Sequence, residues 1–372
     1  MTRVASARTT TRRTSGRIAI GLAVITAAIT GTLVYQSASS PATSPPLTGT
    51  AQASPVAPRN GPLGTIAWPA TGASAAGISG IGLLRGPGAS QPVPIASVAK
   101  VMTAYIILRD HPLGTGEPGP RIVVRPGEAA AYPAEARNGD SLVAVASGEQ
   151  LTERQALEAL LLPSADNIAW ILARWDAGSR AAFAVKMNST ARQLGMTDTR
   201  YTDPSGLAAS TTSTAADQVR LGMAAMKEPA LAQIVAMSSA VIPVAGLVRN
   251  TNALLGQDGI TGLKTGSDTA AGGCMLLAAW HQARGHRTLV IAATFGQPGT
   301  STTMLPNALQ ASHQLLLALD QALTGQGTQH ASSNKAGRHP AGQPTRSRAT
   351  RRGWRLPDHP RPPHPRWDCR CP

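Results

Sequence analysis

Apolar and polar positions divide the chain into zones before any single residue is considered. The first is an uncharged apolar run, Ile18 to Tyr35 (IAIGLAVITAAITGTLVY), behind five Arg. Its length lies near the lower limit for a bilayer span and above the usual core of a signal peptide. Basic residues on its N-terminal side predict an internal N-terminus and export of everything that follows. Small residues at Ser37, Ala38 and Ser39 could serve a cleavage site, so residues 1–40 are expected to be a signal peptide or a membrane anchor. Residues 41–63 are Pro, Ser, Thr and Ala with almost no charge and read as a linker. Periodicity then sets in over about 64–324 and stops again in an Arg-, Pro- and His-rich tail, 325–372, expected to be disordered.

Within 64–324 the pattern predicts a strand in GISGIGLLRG (77–86), a helix over Ser97–Arg109 and a short strand in RIVVR (121–125). Helices are expected over Thr152–Leu162, Asn167–Asp176, Ser179–Leu194 and Thr214–Met226, the last opened by a T-x-x-D cap, Thr214 with Asp217. Apolar runs GGCMLLAAW and RTLVIAATF read as strands, and a final helix covers about Pro306–Leu323. Strands at both ends and helices between them predict a sheet built from the two ends of the domain, with a helical insert.

Composition changes this picture little. Aromatic residues are only 3% of the chain against 42% hydrophobic, so the core is expected to be Ala, Leu, Val and Ile. The net charge of +15 suggests nucleic acid until it is located. Five Arg in the first 17 residues and a net +8 in 325–372 leave only +2 for the rest, so no folded nucleic-acid surface is expected. That excess could attract anionic lipid or wall polymers. Cys274 lies in an apolar run and reads as a buried small hydrophobe, while Cys369-x-Cys371 lacks the further ligands of a zinc site. No metal or cofactor is implied.

Three short motifs carry candidate chemistry. Ser97 and Lys100, in S-x-x-K at the start of a helix, should share one face, placing a hydroxyl beside an amine able to take its proton. A serine in the first turn also sits near backbone N–H groups suited to a developing oxyanion. Ser164-Ala165-Asp166-Asn167 lies between two predicted helices. Ser164 could relay a proton, and Asp166 or Asn167 could hold a substrate amide, although helix capping explains the same residues. Lys264-Thr265-Gly266, placed ahead of a strand-like run, offers a cation, a hydroxyl and accessible backbone for a carboxylate, or a plain polar turn. Ser205, in DPSGL, reads as a turn, and the eight His form no evident triad.

The order S-x-x-K, S-x-[ND], K-T-G resembles that of penicillin-binding proteins and class A β-lactamases. Longer stretches, PIASVAKVMTAYIIL, GEQLTERQALEALLLPSADNIAW, FAVKMNSTARQLGMTDTRYTDPSGL, STAADQ and NTNALLGQDGITGLKTGSDTAAGGC, resemble the D-alanyl-D-alanine carboxypeptidases of the S11 serine peptidase type. The resemblance implies a β-lactamase/transpeptidase-like α/β fold, an antiparallel sheet flanked by helices, as a catalytic domain over 64–324. It implies Ser97 as the acylated nucleophile, Lys100 as general base, Ser164 as proton donor to the leaving D-alanine, and Lys264, Thr265 and Gly266 as the carboxylate and strand-edge site. The backbone N–H groups of Ser97 and Ser267 would form the oxyanion hole. Peptidoglycan stem peptides would be substrates, β-lactams covalent inhibitors, and the N-terminal segment the contact with the membrane. The family usually has Asn where this chain has Asp166, and a carboxylate cannot donate as an amide can. Either Asn167 takes that role or Asp166 alters turnover. A serine β-lactamase on the same fold and a non-catalytic wall-binding module are the competing expectations.

Overall fold

In the computed structural model, residues 63–325 are described apart from Arg284. The expectations for the N-terminal apolar run, for the linker up to residue 62 and for the tail from residue 326 lie outside that range. Among the described residues no helix is long and apolar enough to cross a membrane.

In chain order the elements are β1 (Ala73–Ile78), β2 (Gly82–Arg85), β3 (Val93–Pro94), a 3-10 turn (Ala96–Ala99), α1 (Lys100–Asp110), β4 (Arg121–Val123) and α2 (Pro126–Arg137). There follow β5 (Gln150–Thr152), α3 (Glu153–Leu161), α4 (Asp166–Ala177), α5 (Arg180–Gln193), β6 (Thr212–Ser213), α6 (Ala215–Ala225) and α7 (Pro229–Val235). The chain continues through β7 (Ser239–Ile242), β8 (Gly246–Arg249), β9 (Ile260–Asp268), β10 (Gly272–Ala283), β11 (His286–Gln297) and α8 (Met304–Thr324). The main sheet has five strands in the order β2-β1-β11-β10-β9, with antiparallel neighbours throughout. The first strands of the domain therefore pair with the last, and residues between β2 and β9 supply the helical body, as expected.

The long apolar runs of β10 and β11 need cover on both faces, and the period of two distributes them. Leu289, Ile291, Ala293 and Phe295 face the larger core with the helical body, whereas Val290 and Ala292 join Leu315, Leu316 and Leu319 of α8. Burying an aliphatic side chain contributes about 1.5–3 kcal/mol, so this two-sided core holds the sheet firmly.

Several expectations need adjustment. GISGIGLLRG is not one strand: it turns at Ser79–Ile81 between β1 and β2, closed by Ile81 N–H to Ile78 O at 3.0 Å. Lys264-Thr265-Gly266 precedes the run that forms β10, as expected, but itself lies inside a further strand, β9, at the edge of the sheet. Helix α2 was not anticipated because none of its residues is buried, so no apolar stripe marks it. Its start rests instead on Pro126 in the first turn and on Glu128, whose carboxylate accepts the Arg125 N–H at 2.8 Å. Helix α7 and the β7–β8 hairpin were also missed.

Candidate active site

The nucleophile candidate sits where a 3-10 turn becomes α1. Ser97 occupies the turn, half-buried, and Lys100 opens the helix. Ala96 holds the left-handed region at φ 46°, which costs a non-glycine residue of order 1 kcal/mol or more and needs outside support. Two glycines supply it by approaching closely. Gly206, at φ +83°, lies so near that a Cβ there would meet the Ala96 carbonyl oxygen at 1.9 Å. Gly266 of β9 lies so near that its Cβ would be 2.9 Å from the Ser97 amide nitrogen. Gly266 thus seats the strand against the serine turn.

Lys100 is wholly buried and reaches three oxygens. Its Nζ lies 2.7 Å from Ser97 Oγ, 2.7 Å from Asp166 Oδ1 and 3.1 Å from the Ser205 carbonyl. Asp166, also buried, accepts the Ser141 N–H through its other oxygen at 3.0 Å and donates its own N–H to the Ser141 carbonyl. A buried ion pair contributes little net stability, but removing one partner strands a charge and costs about 3–5 kcal/mol. The Ser205 carbonyl is aimed by a turn whose centre is Asp203. That carboxylate accepts from the Ser205 and Gly206 N–H groups and from the Ser205 and Thr211 hydroxyls. Burial pushes its pKa up, but those bonds outweigh burial and hold it below the ordinary carboxylate value. Ser205 is a turn residue, as read from the sequence, yet its main chain belongs to the site.

Ser164 precedes α4 in a left-handed conformation, φ 70°, and its buried hydroxyl has no hydrogen-bond partner in the protein. An idle hydroxyl on a strained residue costs free energy twice, the signature of a group held for something else. Asn167, by contrast, has partners within the protein. Its Nδ2 donates to Val143 O at 2.8 Å, and its Oδ1 accepts the Val143 and Ile168 N–H groups. The side chain ties the start of α4 to Val143 in the loop between α2 and β5.

On β9, Lys264 is buried and donates to the Thr265 carbonyl at 2.9 Å. Burial first, and then the charge of Lys100, lower its pKa well below the ordinary lysine value, with Asp166 opposing. The Thr265 hydroxyl lies 2.6 Å from that of Thr251, whose N–H donates to Leu162 O at 3.1 Å. Thr251, not singled out from the sequence, ties the end of α3 to the strand edge. Ser267 follows on that edge and is exposed. Lys100 therefore bridges Ser97 and Asp166, Gly266 abuts the Ser97 turn, and Lys264 is within electrostatic reach.

Residues 83–298, more than half of the chain, match the family described as D-alanyl-D-alanine carboxypeptidase, peptidase S11. A D-alanyl-D-alanine carboxypeptidase of Mycobacterium tuberculosis is 37% identical over 210 residues, covering 55% of this chain and 67% of that one. A D-alanyl-D-alanine endopeptidase of Pseudomonas aeruginosa is 35% identical over 192 residues, covering 50% of this chain and 59% of the relative. Among solved structures, a D-alanyl-D-alanine carboxypeptidase from Mycobacterium tuberculosis superposes with a TM-score of 0.58 at 30% identity, covering 70% of this chain and 95% of that one.

Proposed function

The chain belongs to the S11 family of D-alanyl-D-alanine carboxypeptidases, serine-type hydrolases, and we propose that Ser97 is its acylated nucleophile and the terminal D-alanine of a peptidoglycan stem peptide its leaving group. The observation that carries this reading is the buried contact between Ser97 Oγ and Lys100 Nζ at 2.7 Å. A serine hydroxyl attacks only if a base takes its proton, and Lys100 is the basic side chain in reach.

In this mechanism a stem peptide lies along the free edge of β9. Its terminal carboxylate is held by Lys264 and the Thr265 hydroxyl. Burial disfavours the Lys264 charge, and an arriving carboxylate favours it again, so charge and substrate enter together. The scissile carbonyl oxygen is received by the N–H groups of Ser97 and Ser267, which stabilise the oxyanion as Ser97 Oγ attacks. Ser164 passes a proton to the departing amine. Water then cleaves the ester and frees the enzyme. β-Lactams acylate the same serine.

Action outside the cytoplasmic membrane suits this family and substrate, with Ile18 to Tyr35 as signal or anchor and 64–324 as the catalytic domain. The test is a fluorescent penicillin together with free D-alanine measured from an acyl-D-Ala-D-Ala peptide. Wild type should label covalently and release D-alanine, and Ser97→Ala should do neither. Absence of labelling on folded wild-type protein would sink the proposal. Rapid loss of the label would instead favour a β-lactamase.

A further inference from the structure

Three oxygens surround Lys100 Nζ: Ser97 Oγ, Asp166 Oδ1 and the Ser205 carbonyl. The carboxylate and the carbonyl can only accept, whereas the Ser97 hydroxyl can accept from an ammonium or donate to a neutral amine. Lys100 paired with the Asp166 carboxylate as an ammonium has to shed one proton before it can accept another. Its side chain is 0% exposed and that of Asp166 only 4%, which places solvent out of contact. Among the three neighbours, Ser97 is the group to be deprotonated, and a peptide carbonyl is a very weak base. The carboxylate remains. Its orientation is fixed, because Oδ2 accepts the Ser141 N–H at 3.0 Å and leaves Oδ1 facing Lys100.

We infer that Asp166 is a proton relay, so that Lys100 and Asp166 together, holding one proton, form the general base for Ser97. The inference rests on the reading of Ser97 as nucleophile. As Ser97 Oγ forms its bond to the carbonyl carbon, a Lys100 proton moves to Asp166 Oδ1 and the Ser97 proton moves to Lys100 Nζ. The site begins with one ammonium and one carboxylate. It ends with one ammonium, one carboxylic acid and the tetrahedral oxyanion, so the net charge is unchanged. On collapse the C–N bond breaks, the proton that the leaving nitrogen takes up is drawn from Lys100, and Asp166 returns its proton to Lys100. Passing the proton from Lys100 to Asp166 moves it within a buried pair of opposite charges and creates no additional buried ion on the pair, which keeps its free-energy cost small. An amide at this position could hold Lys100 but could not take its proton.

Other ionisable groups sense the pair from each side. Lys264 on β9 feels Lys100 and Asp166 after its own burial. From α2 and the loop after it come Glu135 and Asp140, both raised first by burial and further by the charge of Asp166. Lys100 opposes that rise at Asp140, and Arg180 of α5 opposes it at Glu135.

The test is the pH dependence of second-order acylation by a fluorescent penicillin, in the full chain and in Asp166→Asn. With the relay, the competent wild-type form keeps one proton on the pair and survives acidification until a second arrives. The variant needs a wholly neutral Lys100, so its acid limb should move to higher pH. A limb that moves down would make Asp166 a brake on Lys100, and an unmoved limb would leave it only structural; either overturns the relay. Should Asp166→Asn fail to fold, a proton inventory of wild-type acylation in H2O/D2O mixtures decides. A bowed dependence fits two protons in flight, and a straight line overturns the relay. Labelling that depends on Ser97 with a failed relay test faults the relay alone, whereas no labelling of folded wild type faults the nucleophile and the relay with it.

Discussion

Alanine at position 266 would place a methyl carbon 2.9 Å from the Ser97 amide nitrogen and 3.2 Å from both Ala96 Cβ and the Val98 amide nitrogen. Ordinary Cβ contacts begin at 3.4 Å, so β9 and the serine turn must separate by about 0.5 Å. All three obstructing atoms are backbone or Cβ, and no side-chain rotation relieves them. Overpacking of this kind costs roughly 1–3 kcal/mol, or a fall in Tm of about 2–10 °C for a domain of this size. The effect on rate is separate. Misplacing reacting groups by 1 Å costs on the order of 100-fold, so about half that displacement should slow acylation roughly tenfold. The assay is the second-order rate of labelling by a fluorescent penicillin, run beside a thermal melt. Gly266→Ala acylating at the wild-type rate with an unchanged Tm would refute the claim that this glycine sets the spacing between strand and nucleophile.

Three further outcomes follow from named groups. Asp203 has a folded-state pKa held below its ordinary value of 3.8, so its stabilisation is present above about pH 4 and fades as pH falls through the lower folded value. Asp203→Asn should melt lower than wild type at pH 6, with the gap narrowing towards pH 3; a constant gap would count against it. Glu153 is buried with neither carboxylate oxygen hydrogen-bonded, and burial raises it to about 7. Its contribution is present below the ordinary value of 4.5 and lost as pH rises through the folded value. Wild type should therefore lose Tm relative to Glu153→Gln between about pH 5 and pH 8, and a pH-independent difference would contradict the assignment. Cys274 is buried and its thiol is pushed up to about 12, so iodoacetamide near pH 8 should leave it intact until the protein is unfolded, as peptide mapping would show.

Local chemistry was legible in the sequence, and contacts across the chain were not. The starts of α3, α5 and α6 follow from Thr152 with Gln155, Ser179 with Ala182 and Thr214 with Asp217, because a cap reaches only three residues. Ser97 and Lys100 were paired correctly for the same reason of spacing. The edge strand was harder. ITGLKTGSD lacks alternation because its central residues are buried on both sides and Gly266 packs against a turn, so the motif read as lying ahead of the strand. Asn167 was assigned a possible substrate contact because its partner, Val143, lies 24 positions away in a loop without a pattern. The third acceptor of Lys100 is a main-chain carbonyl, 105 positions distant, which no side-chain motif announces.

The pairing of β1 with β11 has a consequence in time. A chain appearing N-terminus first presents Ser97 and Lys100 early, but the strand that seats the serine turn, β9, arrives only at 260–268, and its neighbours β10 and β11 extend to residue 297. Contacts so distant in sequence form late and together. A half-emerged chain therefore carries Ser97 and Lys100 without the strand edge that completes their surroundings, and that edge is in place only when folding is nearly done.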